Sequence, residues 1–600
     1  MDSEALSSCP SVAPLTGQPS PDVLELDCAV VHNTWGKLGE RSLVAKLKSG
    51  ADGTFPVDST EHYAQLWLGD HPSHGTKVIL PGIEHARKKI LLHDWLILNP
   101  RQLELQSRDD VCDSRLPFLL KVLSIRSPLA LQAHPDKEMA YWLHSKEPGV
   151  FDSNHKPEMA IAVTPFTALI GFRPLQQVLH FLSEVEEFEE AMGCGITRKL
   201  REASETISRG DDSGETVQKE ALKEAFARLV DRRNVAVINS LRKLVLKIKN
   251  DADPSNVPEY NAITRMDAEF PGDPGALTVF LLNLVHLQPG EAVFIDSLIP
   301  HTYITGDCIE CQASSDNVLR AAFTHKRKDV DLMCSTLVYQ PLPGDKFKVV
   351  PEITRTPEMT SIFYPSPCLD FEISKYQITK GSSSTALPCL PVASIVIVVQ
   401  GQGQLFWLSS RCSGGGKEGQ NDTNSNEHNV SENSNTAPST YQIATARDRA
   451  TRINGNSNSY IDNFTTLKEF KTLTENCSVN YNTKHGHDDS TFCVNELNND
   501  ITKQKNSMDY LRTGYAIGNG LQKCDADMDI NILPKTNMST TGNGKPNNLK
   551  FNAGTAIFLA AGTSLEIRTY EIDGDLDDVI IFRANSGHYE EPGKRKTILY

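Results

Sequence analysis

Three things are scarce in this 600-residue sequence. Long apolar runs are missing: none approaches the roughly 20 residues that a membrane-crossing helix needs. Positive charge is short. Sixty Lys and Arg stand against 76 Asp and Glu, a formal net charge of −16, so neither nucleic acid nor an anionic membrane surface is an expected partner. Paired cysteines are also few. Thirteen are scattered between Cys9 and Cys524, and only Cys308 and Cys311 form a CxxC. With no second pair, a zinc knuckle is a poor reading and reduced thiols on a strand or bend a better one. Met1 to Pro21 has neither the basic nor the apolar segment of a secretory leader. A cytoplasmic location is expected. What is present is ordinary for globular protein, 39% hydrophobic and 23% charged, and the length allows about four domains.

Texture divides the chain. Residues 1–23 form a Ser- and Pro-rich tail, expected to be flexible. From Leu24 to Phe172, short apolar runs such as Leu116-Pro-Phe-Leu-Leu-Lys-Val-Leu-Ser124 alternate with turn signals, which suggests strands. Residues 173–276 change period. Pro174 opens a segment with Val178, Phe181 and Leu182 at helical spacing; Leu222, Phe226, Leu229 and Val230 make a second stripe, and Ile238, Leu241, Val245 and Ile248 a third. Strand texture returns over Leu277 to Leu287 and Ala292 to Asp296, so 277–345 rejoins 24–172. A second β region is expected from 346–409 and 549–590. Between them, 410–548 is rich in Asn, Ser, Thr, Gly and Asp without apolar periodicity, a composition expected to stay disordered. The fold class is therefore mainly β with an α-helical insertion.

The sharpest chemical cluster is Leu131-Gln-Ala-His-Pro-Asp136. On a strand, Gln132 and His134 share a face. His155-Lys-Pro-Glu-Met-Ala160 places Lys156 and Glu158 two apart, and Ile299-Pro-His-Thr-Tyr303 offers His301 at the end of an apolar strand. Two imidazoles, a carboxylate and an amide suit a zinc ion that keeps net positive charge and acts as a Lewis acid. Blander readings stand beside this one. Gln132 and His134 also fit a hydrogen-bonded edge pair, His301 a satisfied core histidine, and Lys156–Glu158 a surface salt bridge. Further on, Arg320, Lys326, Arg327 and Lys328 form a basic group in an acidic protein, which suits an anionic substrate such as a phosphate. For Arg327 and Lys328 a solvated charge run is the better account. Lys121, at the end of an apolar run, is one more candidate cation.

Taken in order, these segments resemble the type I phosphomannose isomerases, zinc enzymes of the cupin fold. The resemblance rests on Asn33-Thr-Trp-Gly-Lys37, Tyr63-Ala-Gln-Leu-Trp67, Gly69-Asp-His-Pro72, Phe118-Leu-Leu-Lys-Val-Leu-Ser124, Gln132-Ala-His-Pro135, Asn154-His-Lys-Pro-Glu-Met-Ala160, Gly171-Phe-Arg-Pro174, Pro300-His-Thr-Tyr303 and Gly306-Asp-Cys-Ile-Glu-Cys311 through Ser315-Asp-Asn-Val-Leu-Arg320. It covers about 24–409 and 549–586. It implies jelly-roll β-barrels, a catalytic cupin followed by a second, C-terminal cupin-like domain. It implies one zinc per chain on Gln132, His134, Glu158 and His301, with Arg320 as the active-site arginine. Lys156 and Glu310 are then the catalytic candidates, either able to serve as base, and Lys121, Tyr303, Lys326 and Trp35 the substrate-binding ones.

The implied reaction interconverts mannose 6-phosphate and fructose 6-phosphate through an enediol, feeding mannose and GDP-mannose metabolism. A small sugar phosphate is the expected partner and a monomer the expected state. The sequence departs from the family pattern at four places. Ala130 stands where serine is usual, Gln65 where glutamate is usual, Asp70 for threonine and His325 for proline. Ala130, Gln65 and the long Asn- and Ser-rich insertion leave a second class open, a catalytically weak cupin that serves as a binding or interaction protein. A cupin dioxygenase is a third, and Gln132 argues against it.

Overall fold

The strand Phe118–Ile125 is buried along its whole length, so both of its faces need cover. Residues along it alternate between two cores. Leu120 and Val122 join Met159, Ile161, Ile309 and Cys311 from neighbouring strands in one core. Leu123 and Ile125 join Ala160, Ala162, Cys308 and Tyr303 in another. The computed structural model describes residues 22–80, 88–103, 115–250, 257–382, 384–407, 547–569 and 578–587. Both the tail up to residue 21 and the polar stretch 408–546 lie outside these.

Among the described residues, eleven strands form the sheet that holds this strand. Its main path runs Lys348–Val349, Ala292–Ile295, Glu158–Ala162, His301–Ala313, Phe118–Ile125, Gln65–Leu68 and Ala29–Val31, antiparallel at each step. The long strand His301–Ala313 serves two sets of partners. Its first residues pair with Phe166–Phe172 and Leu131–Ala133, and from Gly306 onward it pairs with Phe118–Ile125 and Glu158–Ala162. The change comes at Gly306, at φ 124°. A side chain there would meet the Cα of Phe166 and the carbonyl oxygen of Pro165 at 2.8 Å, so the bend requires glycine.

A second sheet of nine strands packs on the first through Leu24, Leu26, Ile395, Ile397, Phe558 and Phe582. Its order crosses the boundaries expected from the sequence. Val23–Asp27 sits beside Ala556–Leu559, with Val23 opposite Leu559, and Lys77–Leu80 and then Lys88–Leu91 extend the sheet beyond it. Apolar alternation explains this: Leu24 and Leu26 face the first sheet, while Val23 faces the core that the nine strands share with a four-stranded sheet.

The helical insertion forms Leu175–Glu184, Glu186–Ser208, Gly214–Val230, Val235–Asn250 and Pro258–Glu269. Val178, Leu222, Phe226, Leu229, Leu241, Val245 and Ile248 pack against Leu131, Ala133, Leu319 and Ala321. That contact covers the outer face of the short strands that carry Gln132 and Arg320. Two readings need correction. Leu277 to Leu287 is not one strand: Pro274–Phe280 is a 3-10 helix, started by the Asp273 carboxylate accepting from the Gly275 amide, and the strand is Leu282–Leu287. And His301 begins its strand rather than ending one.

Gly403–Trp407 and Asn547–Phe551 are antiparallel neighbours, with Trp407 directly opposite Asn547. The chain therefore leaves and re-enters one hairpin end. Replacing residues 408–546 by an Asn-Gly turn, which closes such a pair without splaying it, is expected to leave strand content unchanged by circular dichroism. The melting temperature should hold or rise, because each halving of a loop lowers its closure cost by about 0.6 kcal/mol. Loss of the cooperative transition would show that the segment supports the sheet.

Candidate active site

The rows of the sheet bring the candidate residues together. His301 lies opposite Gln132, and Gln132 lies opposite Arg320. Directly opposed residues of antiparallel strands point to one face, so these three form a row. A few residues further along, Lys121 lies opposite Glu310 and also opposite Trp67, while Glu158 lies opposite Gln312.

His134, Glu158 and His301 converge, with their ligand-type atoms within 4.8 Å of one another. Their exposures are 0%, 1% and 0%. Glu158 Oε1 is 3.2 Å from His134 Nε2 and Oε2 is 3.5 Å from His301 Nε2. The imidazoles are held from behind. His134 Nδ1 donates to the Asn317 carbonyl at 2.6 Å and His301 Nδ1 to the Ile299 carbonyl at 2.9 Å. A carbonyl only accepts, so the proton sits on Nδ1 and each Nε2 turns a lone pair inward. His134 Nε2 is sealed from solvent and makes no hydrogen bond. The amide of Gln132 lies 3.3 Å from His301 Nε2, and a half-turn of that amide presents its oxygen.

Electrostatics support this geometry. Burial, then the Lys156 cation, pushes His134 down to about 3, which keeps it a neutral ligand. Burial alone would raise Glu158. Lys156 and the two histidines outweigh it and hold the carboxyl well below its usual range. The orphaned nitrogen, two imidazoles, one carboxylate and a reachable amide fit a divalent ion of zinc type. The edge-pair and core-histidine readings leave His134 Nε2 unexplained.

Around the triad, Lys156 Nζ lies 3.1 Å from Glu158 Oε1 with both groups buried, so the pair is no surface salt bridge. Glu158 begins its strand and Lys156 precedes it. The Tyr303 hydroxyl donates to Glu158 Oε2 at 3.3 Å. Lys121 Nζ is 3.3 Å from Glu310 Oε2, donates to Gln312 Oε1 and lies 4.7 Å from the Trp67 ring centre. Burial and then the Glu158 charge raise the Glu310 carboxyl, and burial lowers Lys121. Arg320 is half-buried; its guanidinium donates to the Val318 carbonyl at 3.4 Å. Trp35 packs beside Tyr303 in the same cluster.

Lys326 is not drawn in: it stands exposed, and among the described residues no side-chain contact ties it to the triad. Arg327 is a solvated charge, paired with Glu147 at 2.7 Å. Cys308 and Cys311 fall on opposite faces of one strand, in separate cores. Three contributors escaped the sequence reading. Gln312 could have been found by the period of two from Glu310. Asn317 acts through its carbonyl, which no side-chain pattern reveals. Leu298 adopts φ 59° and donates its amide to the His134 carbonyl at 2.7 Å, a left-handed leucine that composition does not announce.

Residues 23–175 match the family model of the phosphomannose isomerase type I catalytic domain. The mannose-6-phosphate isomerases of Rattus norvegicus and Homo sapiens are each 36% identical to this chain over 386 residues, 64% of this chain and 88% of theirs. This chain belongs to the type I phosphomannose isomerase family. The Cryptococcus neoformans mannose-6-phosphate isomerase is 35% identical over 400 residues, 64% of this chain and 90% of its own. Among solved structures, a zinc-bound mannose 6-phosphate isomerase aligns over 94% of this chain and 100% of its own, at TM-score 0.56 and 18% identity. A variant phosphomannose isomerase from Salmonella typhimurium aligns over 65% of this chain and 91% of its own, at TM-score 0.52 and 24% identity. These two likenesses speak for the phosphomannose isomerase fold, mostly sheet with helices.

Proposed function

We propose that this chain interconverts mannose 6-phosphate and fructose 6-phosphate as a zinc-dependent isomerase. The observation that carries this reading is the sealed His134–Glu158–His301 triad with its orphaned nitrogen, in a chain of this family. Gln132 would complete the ligand set. When bound, zinc supplies a Lewis acid that polarises the carbonyl or hydroxyl oxygen of the sugar. Lys121 and Lys156, paired with Glu310 and Glu158, and the half-buried Arg320 set three cations against two carboxylates around the triad, a balance that suits a phosphorylated sugar. Lys156, fixed on Glu158, and Tyr303 line the same wall. A binding protein would not need this titratable set around a metal centre, so the weak-cupin alternative is not favoured.

The reaction moves a proton between two neighbouring carbons. Glu310 is the base we assign to it: a carboxyl raised above its usual range takes a proton from carbon more readily, and the Lys121 ammonium, 3.3 Å away, orients it. Raising the pKa of a group that must be ionised moves the loss of activity to higher pH. The acid limb of kcat/KM is therefore expected above the ordinary glutamate value of about 4.3, and Glu310→Gln should remove both that limb and most of the turnover. An unchanged limb in Glu310→Gln would transfer the role to Lys156.

The proposal extends to architecture. The bend at Gly306, where one strand serves two sets of partners, supports a cupin-type jelly-roll barrel for 24–172 with 277–345, and 173–276 as its helical addition. The nine- and four-stranded sheets around their own core support a second cupin-like domain from 346–409 and 549–590, joined by the strands at Val23–Asp27, Lys77–Leu80 and Lys88–Leu91. The unpaired cysteines among the described residues and the absence there of a helix long and apolar enough to cross a membrane are in keeping with a cytoplasmic location.

A further inference from the structure

The segment Asn33-Thr-Trp-Gly-Lys37 crosses the end of the strand Phe118–Ile125, and Gly36 bridges to Ile125 there. A turn brings it across, closed by the Gly36 amide donating to the Asn33 carbonyl at 2.8 Å. In a straight strand, residues two apart share a face. Here Trp35 and Lys37 end on opposite faces. The Trp35 side chain packs against the cluster that holds Leu123, Ala160, Cys308 and Tyr303, on the face of the active site. Lys37 reaches the other face, where its Nζ lies 2.6 Å from Asp307 Oδ2. Asp307 is the register partner of Ser124, on the side of Val122 and Ile309. A Cβ on Gly36 would meet the Cα of Ala64 at 2.7 Å, so the crossing passes where only glycine fits.

Asp307 is an anchor held from several directions. Its side chain is 6% exposed. Oδ1 accepts from Ser124 Oγ at 2.6 Å and Oδ2 from Thr164 Oγ1 at 3.0 Å, besides Lys37. A carboxylate this buried needs its cation and its donors together. The backbone of Trp35 is fixed as well, its carbonyl accepting from the amides of Arg126 at 2.9 Å and Ser127 at 3.3 Å. We propose that the Lys37–Asp307 ion pair is a positioning device: from the far face of the sheet it holds Trp35 against the substrate pocket. The kinetic part of this inference rests on the isomerase reading; the placement of the ring does not.

The test therefore has two arms. Protein labelled with 5-fluorotryptophan gives a fluorine resonance for Trp35, assigned by its loss in Trp35→Phe. Lys37→Met is expected to shift or broaden that resonance and leave those of the other tryptophans in place, and Lys37→Arg, which keeps the charge, to restore much of it. In the kinetic arm, Lys37→Met should raise KM for mannose 6-phosphate about tenfold with kcat within about twofold, the mark of binding shared by ground and transition states. In a Trp35→Phe background the same change should add little, because the two residues act as one unit. An unmoved Trp35 resonance overturns the inference, and so do KM effects that multiply independently. A wild-type protein without isomerase activity would sink the functional reading, and the fluorine arm would still decide the anchor. Should Lys37→Met melt too low for measurement, pairing it with Asp307→Asn removes the stranded buried charge and allows the same readings.

Discussion

Replacing His301 by alanine is expected to strip the metal from this protein and to abolish isomerase turnover. The imidazole is buried, its Nδ1 is committed to the Ile299 carbonyl, and its Nε2 faces Glu158 and Gln132. Removing it takes away one of two strong nitrogen donors and leaves Glu158 with Lys156, His134 and the Tyr303 hydroxyl. The readouts are zinc per chain by elemental analysis, turnover in a coupled assay, and melting with and without added zinc. Wild-type protein should melt higher with zinc, since a ligand that binds only the folded state at a hundred times its Kd adds about 2.7 kcal/mol. The variant should show no such rise. A metal-free His301→Ala protein with normal turnover would end the zinc assignment.

Much of this site was legible because its chemistry rides on spacing. Gln132, His134, Glu158 and His301 are residue types that a metal selects, and each lies on a strand or directly after one. What spacing did not tell is how far each is sealed. Lys156–Glu158 reads on paper as a surface pair and is instead a buried one. Its depth is set by strands from four places in the chain, a tertiary property. The fold was legible where period was strong, as in the stripes at Leu222 and Leu241. It was misread where a proline and a capping aspartate overrode apolar texture, at Asp273-Pro274. The partnership of Val23–Asp27 with Ala556–Leu559 lay out of reach for a plainer reason: contacts between segments so distant in sequence leave no local signal. Lys326 is a cation whose place a basic run suggests without fixing: it stands exposed, outside the buried triad.

Arg320→Lys carries the second large effect. Arg320 stands in the row of His301 and Gln132, and among the described residues its guanidinium makes one long bond, 3.4 Å, to the Val318 carbonyl. Burial lowers its pKa while Asp329 and Asp316 oppose that, but a guanidinium stays protonated throughout. Charge is thus constant in the lysine variant, and what changes is shape. A planar fork of several donors becomes a single ammonium on a flexible stem. If the fork holds charge that develops as the enediol forms, kcat/KM should fall about a hundredfold, the scale of losing one pre-organised donor. The loss should appear in kcat, with zinc per chain and melting temperature held, because neither the triad nor the sheet pairing uses the guanidinium. A loss confined to KM would instead make Arg320 a phosphate anchor, bound equally in ground and transition states. Turnover at the wild-type level would remove it from the active site altogether, and leave Lys121 and Lys156 as the cations that face the substrate.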